Sequence, residues 1–220
     1  MTKYQDYLQE IYSNRFKINL KERNKVWSIL CSDFFQKYIP RNSKILEIAA
    51  GYCEFINNIN AKEKIALDLN KDVKKFAKSE VKVHIGTATK LDFLEKESID
   101  VVFISNFFEH LTKIQIVETL KEVHRILRKG GKILILQPNI RYCYKDYWMF
   151  FDHISPLDHR SLKEILLLQN FKIQKILPRF LPFQMKESKL PKFKFLIKIF
   201  LKCKIAQIIL GKQMFIYAKK

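Results

Sequence analysis

Five short apolar runs, separated by amphipathic stretches, constrain most strongly what this chain can fold into. They are Ile45–Ala49, Lys64–Leu67, Val81–Ile85, Ile99–Ser105 and Lys132–Leu136. Each is short for a helix, and in most of them apolar residues follow one another instead of alternating with polar ones. Such runs suit strands of a parallel sheet that is covered on both faces. The stretches between them carry helical spacing, so the order is a βαβ succession. The fold class this predicts is α/β, a doubly wound and mostly parallel sheet. Two later runs, Phe171–Leu177 and Met214–Ala218, read as final strands.

Caps and breakers mark the helices. Val26, Trp27, Leu30, Phe34 and Tyr38 fall at helical spacing before Pro40, which ends the segment. Thr112 with Gln115 reads as a capping box, and Gly130-Gly131 closes the helix that follows. Ser161 with Glu164 reads as a second box, opening a helix to about Gln169. There are no repeats and no Pro/Gly/Ser linker, so residues 1–220 are expected to form one domain. Its parts are a helical segment (1–40), a core (41–182), a basic amphipathic insertion (183–210) and a last strand (212–219).

The four cysteines, Cys31, Cys53, Cys143 and Cys203, lie far apart and form no C-x-x-C pair. That argues against a disulfide framework or a zinc site. The polar and aromatic stretch Met1–Phe16 does not look like a signal peptide, and the expected location is the cytoplasm. A formal charge of +19 invites a nucleic-acid or anionic-membrane partner. However, lysine greatly outnumbers arginine, whereas readers of nucleic acid lean on arginine for bidentate contacts. Asn and Ile are abundant too, as a biased coding composition would make them. Nucleic acid is therefore not the expected partner.

In open α/β sheets ligands bind beyond the carboxyl ends of the strands. After the first run comes Glu47-Ile48-Ala49-Ala50-Gly51-Tyr52-Cys53-Glu54, and after the second comes Asp68. A carboxylate at the end of a buried strand is costly unless it meets a cation or a donor. Gly51 lets the backbone turn tightly, and Asp68 stands where ribose hydroxyls would sit. A dinucleotide would need G-x-G-x-x-G and a helix N-terminus free for pyrophosphate. Here that pattern fails, and Glu54 would set negative charge beside the anion. S-adenosylmethionine has no phosphate and carries a sulfonium and an ammonium, so two carboxylates suit it better.

These residues resemble the class I S-adenosylmethionine-dependent methyltransferases, small-molecule type. Ile45-Leu46-Glu47-Ile48-Ala49-Ala50-Gly51 is similar to the family's first motif, and Ala66-Leu67-Asp68 to its ribose-binding acid. Ser98 through Leu111 is similar to the fourth strand and its exit. Val123 through Lys132 is similar to the helix and turn before the fifth strand. The resemblance implies a Rossmann-like, seven-stranded sheet with the last strand antiparallel. It implies that Glu47, Ala49 and Gly51 hold the methionine end, and that Asp68 and Leu69 meet the ribose. Thr87 and Ala88 would border the adenine, and Asn106 would lie near the sulfonium. Three positions depart from the pattern: Ala49 and Cys53 replace motif glycines, and Thr87 replaces an acid. The change at Ala49 reads as mild.

Methyl transfer from a sulfonium is an in-line displacement from an activated donor, governed mostly by positioning. A hydroxyl acceptor also needs a base. Candidates are His110, His153 and His159, with Asp152 and Tyr142 as orienting groups; His110, His153 and Asp152 are preferred. Glu109 and His110 offer two metal ligands, but no third is evident, so no metal is expected. The expected acceptor is a small molecule, a glycan or a lipid-linked group. In the segment 189–210, Phe193, Leu196, Ile197, Phe200 and Leu201 share one helical face. Lys194, Lys198 and Lys202 lie opposite, which suits peripheral contact with the anionic inner face of the membrane. Two other functions compete. One is a non-catalytic or regulatory module that keeps the fold. The other is an RNA methyltransferase, disfavoured because Asn106 is followed by Phe107-Phe108 and not by Pro-Pro-aromatic.

Overall fold

A computed structural model describes residue 11 and residues 20–183 and 194–220. In chain order the elements are α1 (Leu20–Asp33), β1 (Lys44–Ile48), β2 (Glu63–Asp68), a short α2 (Val73–Phe76), β3 (Val81–Ile85) and β4 (Ile99–Ser105). Then come α3 (Lys113–Ile126), β5 (Leu127–Pro138), α4 (Ile140–Tyr147), α5 (His159–Leu168), β6 (Lys172–Leu181), α6 (Lys194–Lys202), α7 (Lys204–Leu210) and β7 (Gln213–Lys219). The expected features on Met1–Phe16 lie almost wholly outside the described residues, as does the start of the basic segment.

The strands form a seven-stranded sheet in the order β3-β2-β1-β4-β5-β7-β6. β1 pairs in parallel with β2 and β4, while β7 runs antiparallel between β5 and β6. Both faces of the central strands are covered, which is why their runs are largely apolar. Leu46, Ile48, Val102, Ile104, Ile133 and Ile135 face the layer of α3 and α5. Ile45, Val101, Phe103, Leu134 and Leu136 face α1 and an aromatic cluster. Within that cluster Phe55 stacks on Phe103 at 3.6 Å, and Trp27 meets both edge-on at 6.2 Å. Rings paired in this way add to the area they bury.

Helix ends follow local chemistry. Thr112 caps α3 with Gln115 as its reciprocal partner, as the sequence predicts. The second box is displaced. Asp158 caps α5, accepting from the amides of Arg160 and Ser161, and Ser161 closes the box as its third helical residue. The hydroxyl that looked like the cap is the partner, because the carboxylate three residues earlier is the stronger acceptor for free helix amides. Past α3 the chain turns at Gly130, φ +73°. A Cβ on Gly131 would come within 2.8 Å of the Arg128 carbonyl, so that turn admits glycine for want of space.

The basic segment is two helices, not one. On α6, Ile197, Phe200 and Leu201 pack against the α1 side of the core, so the face expected to meet lipid is taken up by the protein itself. Lys198 Nζ lies 3.5 Å from Asp33 on α1. Phe193 lies outside the described residues. Among those residues no helix is long and apolar enough to cross a membrane.

Candidate active site

Parallel register fixes where the strand exits lie. Ile48 pairs with Leu67 on one side and Ile104 on the other, and Asp68 pairs with Ile85. The ends of β1, β2, β3 and β4 therefore form one edge, which gathers Ala49, Gly51, Asp68, Thr87 and Asn106. Asp68 is half-buried; its Oδ2 accepts from the Gly51 amide at 2.7 Å and its Oδ1 from the Asn70 amide at 2.8 Å. Burial raises its carboxyl above the usual range against the pull of those amides. Leu69, next along, is exposed. Thr87 bonds the Thr89 hydroxyl at 2.9 Å, while Ala88 is buried.

Glu47 is buried, and its Oε2 accepts from the Ile56 amide at 3.0 Å. Burial pushes its carboxyl well above the ordinary range; the amide works against this, and Glu54 and Asp68 add repulsion. Glu54 is answered by Arg23 of α1 at 2.7 Å, so the first-motif loop is tied to the N-terminal helix. That loop is strained. Ala49, Gly51 and Cys53 all have positive φ, at 57°, 50° and 57°. The replaced glycines are thus left-handed positions, and the change at Ala49 is not mild: a Cβ there costs about 1–2 kcal/mol. Asn106, φ +46°, is a residue type that tolerates this region.

Beyond Asn106 the chain makes a 3-10 turn, Phe108–His110, that buries Phe108 and Glu109. The Glu109 carbonyl accepts from the amides of Ile154 (2.8 Å) and Ser155 (3.1 Å), and the Ser155 hydroxyl donates to the Leu111 carbonyl. Tyr147 Oη donates to the Ser155 carbonyl at 2.6 Å. These bonds pin the segment after α4 onto the β4 exit. Asp152 and His153 consequently meet His110. His110 Nδ1 lies 3.2 Å from Asp152 Oδ2 and 3.1 Å from the Asp152 carbonyl oxygen. Its Nε2 lies 3.9 Å from Glu109 Oε1, and its ring is 5.0 Å from that of His153. Gln137, wholly buried on β5, donates from Nε2 to Glu109 Oε2 at 2.6 Å.

His110, Asp152 and His153 are thus brought together. His159 lies apart, 3.1 Å from the Asn139 amide nitrogen, with Tyr142 stacked near it. Sequence reasoning set Glu109 beside His110 only as a metal ligand lacking a third partner, and missed Gln137. Glu109 is a buried carboxyl, raised by burial and pulled back by His110. A charged residue inside Phe107-Phe108-Glu109-His110 was the available signal. Nothing in the spacing pointed to Gln137, because it comes from the neighbouring strand.

Residues 46–135 match the family model described as a methyltransferase domain. The chain has the class I methyltransferase fold. A curated relative, the demethylmenaquinone methyltransferase of Alkalihalophilus pseudofirmus, is 27% identical over 112 residues, which cover 50% of this chain and 46% of that protein. The match therefore spans less than half the length of that relative. A SAM-dependent methyltransferase of Archaeoglobus fulgidus superposes with a TM-score of 0.70 at 24% identity, covering 96% of this chain and 99% of that one. A Thermotoga maritima protein, described as a possible histamine N-methyltransferase, superposes with a TM-score of 0.70 at 17% identity, covering 97% and 99%. Both likenesses bear on the fold alone.

Proposed function

We propose that the protein transfers a methyl group from S-adenosylmethionine to a hydroxyl of a small, apolar or lipid-linked acceptor. One observation carries this reading: two carboxylates, Glu47 and Asp68, end adjacent strands, and the Glu109–His110–Asp152–His153 cluster follows the end of the next strand. In this reading Glu47 faces the cofactor's ammonium, and Asp68 accepts from its ribose hydroxyls. The acceptor oxygen attacks the methyl carbon in line, the carbon–sulfur bond breaks, and its electron pair stays on sulfur as the neutral thioether. The hydroxyl proton is given up at the cluster beyond Asn106. Holding the two reactants in line supplies most of the acceleration.

Support for an apolar acceptor comes from the surface beside that cluster. Trp148, Phe151 and Ile154 flank Asp152 and His153 in sequence and are all exposed. The curated relative bears the name of a demethylmenaquinone methyltransferase, which accords with an apolar acceptor and does not bear on the hydroxyl. Delivery of such an acceptor fits peripheral contact with an anionic membrane at the inner cytoplasmic face.

Titration calorimetry with S-adenosylhomocysteine tests the cofactor half. Affinity near the micromolar level, about −8 kcal/mol, is expected. Asp68→Ala should weaken it by about 1.5–3 kcal/mol through lost charge-assisted hydrogen bonds. No binding by the wild type would leave a non-catalytic module as the better account of the fold.

A further inference from the structure

We propose that Glu109, His110 and His153 form a binding site for a divalent transition-metal ion, with Asp152 as a positioning residue behind His110. One donor atom from each of the three lies within 4.8 Å of the others, the one such grouping of His, Cys, Asp or Glu among the described residues. Two imidazoles and one carboxylate form a donor set that suits zinc, iron or cobalt; magnesium prefers oxygen throughout. Three protein ligands leave coordination positions open, as in catalytic centres.

The surroundings are those of a built site. Both oxygens near His110 Nδ1 belong to Asp152 and can only accept, so Nδ1 carries the proton. Nε2 is then the lone pair, and it is the atom turned toward Glu109. A carboxylate that holds a ligating imidazole by its other nitrogen is the usual outer support of a metal-bound histidine. Gln137 does the same for Glu109, fixing Oε2 and leaving Oε1 on the side of His110. Asp152, Glu109 and His153 are nearly inaccessible, and their backbone is cross-bonded through Ile154 and Ser155. The donors of a tetrahedral ion stand about 3.3 Å apart for bonds near 2.0–2.1 Å. Binding therefore draws the three groups closer.

In the proposed methyl transfer, a role that rests on that reading, the ion would take the acceptor hydroxyl into an open position. With both imidazoles held by the ion, it would acidify that hydroxyl, whose proton would pass to water and not to the cluster as the oxygen attacks the methyl carbon. The test does not need the acceptor. The chain, stripped with a chelator, is titrated with Co²⁺ and with Zn²⁺, and S-adenosylhomocysteine is titrated in parallel. One equivalent of Co²⁺ should bind and give visible d–d bands without the near-ultraviolet charge-transfer band that a thiolate would add. Glu109→Gln and His153→Phe should abolish that signal while cofactor affinity holds and the stripped chain still melts cooperatively. Asp152→Asn should weaken metal binding about 10–100-fold without abolishing it. Absence of one-equivalent binding by a wild type that still binds S-adenosylhomocysteine overturns the metal site alone. Binding that survives both ligand variants, or that carries a thiolate band, overturns it as well. Metal binding without cofactor binding upholds the site and removes the methyl-transfer reading.

Discussion

Two residues in the first-motif loop show how one backbone requirement is met at different cost. Ala49 and Cys53 both sit in the left-handed region that glycine enters freely. Ala49 is half-buried at the edge of the core, whereas Cys53 is wholly enclosed, with its thiol 3.7 Å from the Val73 carbonyl. Ala49→Gly should relieve more strain than the methyl contributes in packing, for a gain of about 0.5–1 kcal/mol. That corresponds to a rise in melting temperature of about 1–4 °C. Cys53→Gly should go the other way, losing about 1 kcal/mol or more, because a filled core site is emptied. Thermal melts that place the cysteine variant above the alanine variant would contradict this account of the loop.

Glu47 carries a second residue-scale prediction. Its carboxyl is raised by burial, so the folded chain holds a proton that the unfolded chain releases near pH 4.3. Stability from this group is full below the unfolded value and declines as pH rises through the folded one. A bound cationic cofactor favours the carboxylate and must expel that proton. Affinity for S-adenosylmethionine should therefore climb with pH through the same window and level off above it. Calorimetry in two buffers of unlike ionisation heat should register proton release at the acidic end. Glu47→Gln should show none, and an unaltered release in that variant would take the effect away from Glu47.

At the scale of elements, what was legible depended on whether the signal was local. β3 and β4 have the bounds their apolar runs predict, and the Thr112 box is where it should be, since each is written in adjacent residues. The α5 cap was misplaced by three residues because Asp158 and Ser161 are both good capping types, and only geometry decides which accepts from the free helix amides. The edge that gathers Ala49, Gly51, Asp68, Thr87 and Asn106 was readable because parallel strands place successive exits side by side whatever the helices between them do. The β4-exit cluster was readable only in part: His110, Asp152 and His153 were candidates by residue type, but their meeting with Glu109 was not legible. His153 lies 43 residues beyond His110, and long-range bonds such as those from the Ile154 and Ser155 amides to the Glu109 carbonyl bring it there. Long-range stitching of that kind leaves no periodicity to read.

At the scale of the whole molecule, the charge of +19 meets an apolar surface that the sequence assigned to the wrong residues. The face of Ile197, Phe200 and Leu201 is spent on α1. What remains outside is Ile205, Ile208 and Ile209 on α7, at i, i+3 and i+4, with 69%, 59% and 66% exposure. Lys202 and Lys204 are exposed immediately before them. An apolar stripe beside lysines suits an anionic interface, where each lysine is worth about 1 kcal/mol and a buried isoleucine about 1.5–3 kcal/mol. Sedimentation with phosphatidylglycerol-containing vesicles at low salt should carry the protein down, while neutral phosphatidylcholine vesicles should carry little. Added salt should weaken the binding, since the lysine contribution is screened over about 10 Å at 0.1 M. Replacing Ile205, Ile208 and Ile209 together by serine should remove it and leave affinity for S-adenosylhomocysteine unchanged. A wild type that ignores anionic vesicles at low salt would make α7 a packing helix and the charge a matter of composition.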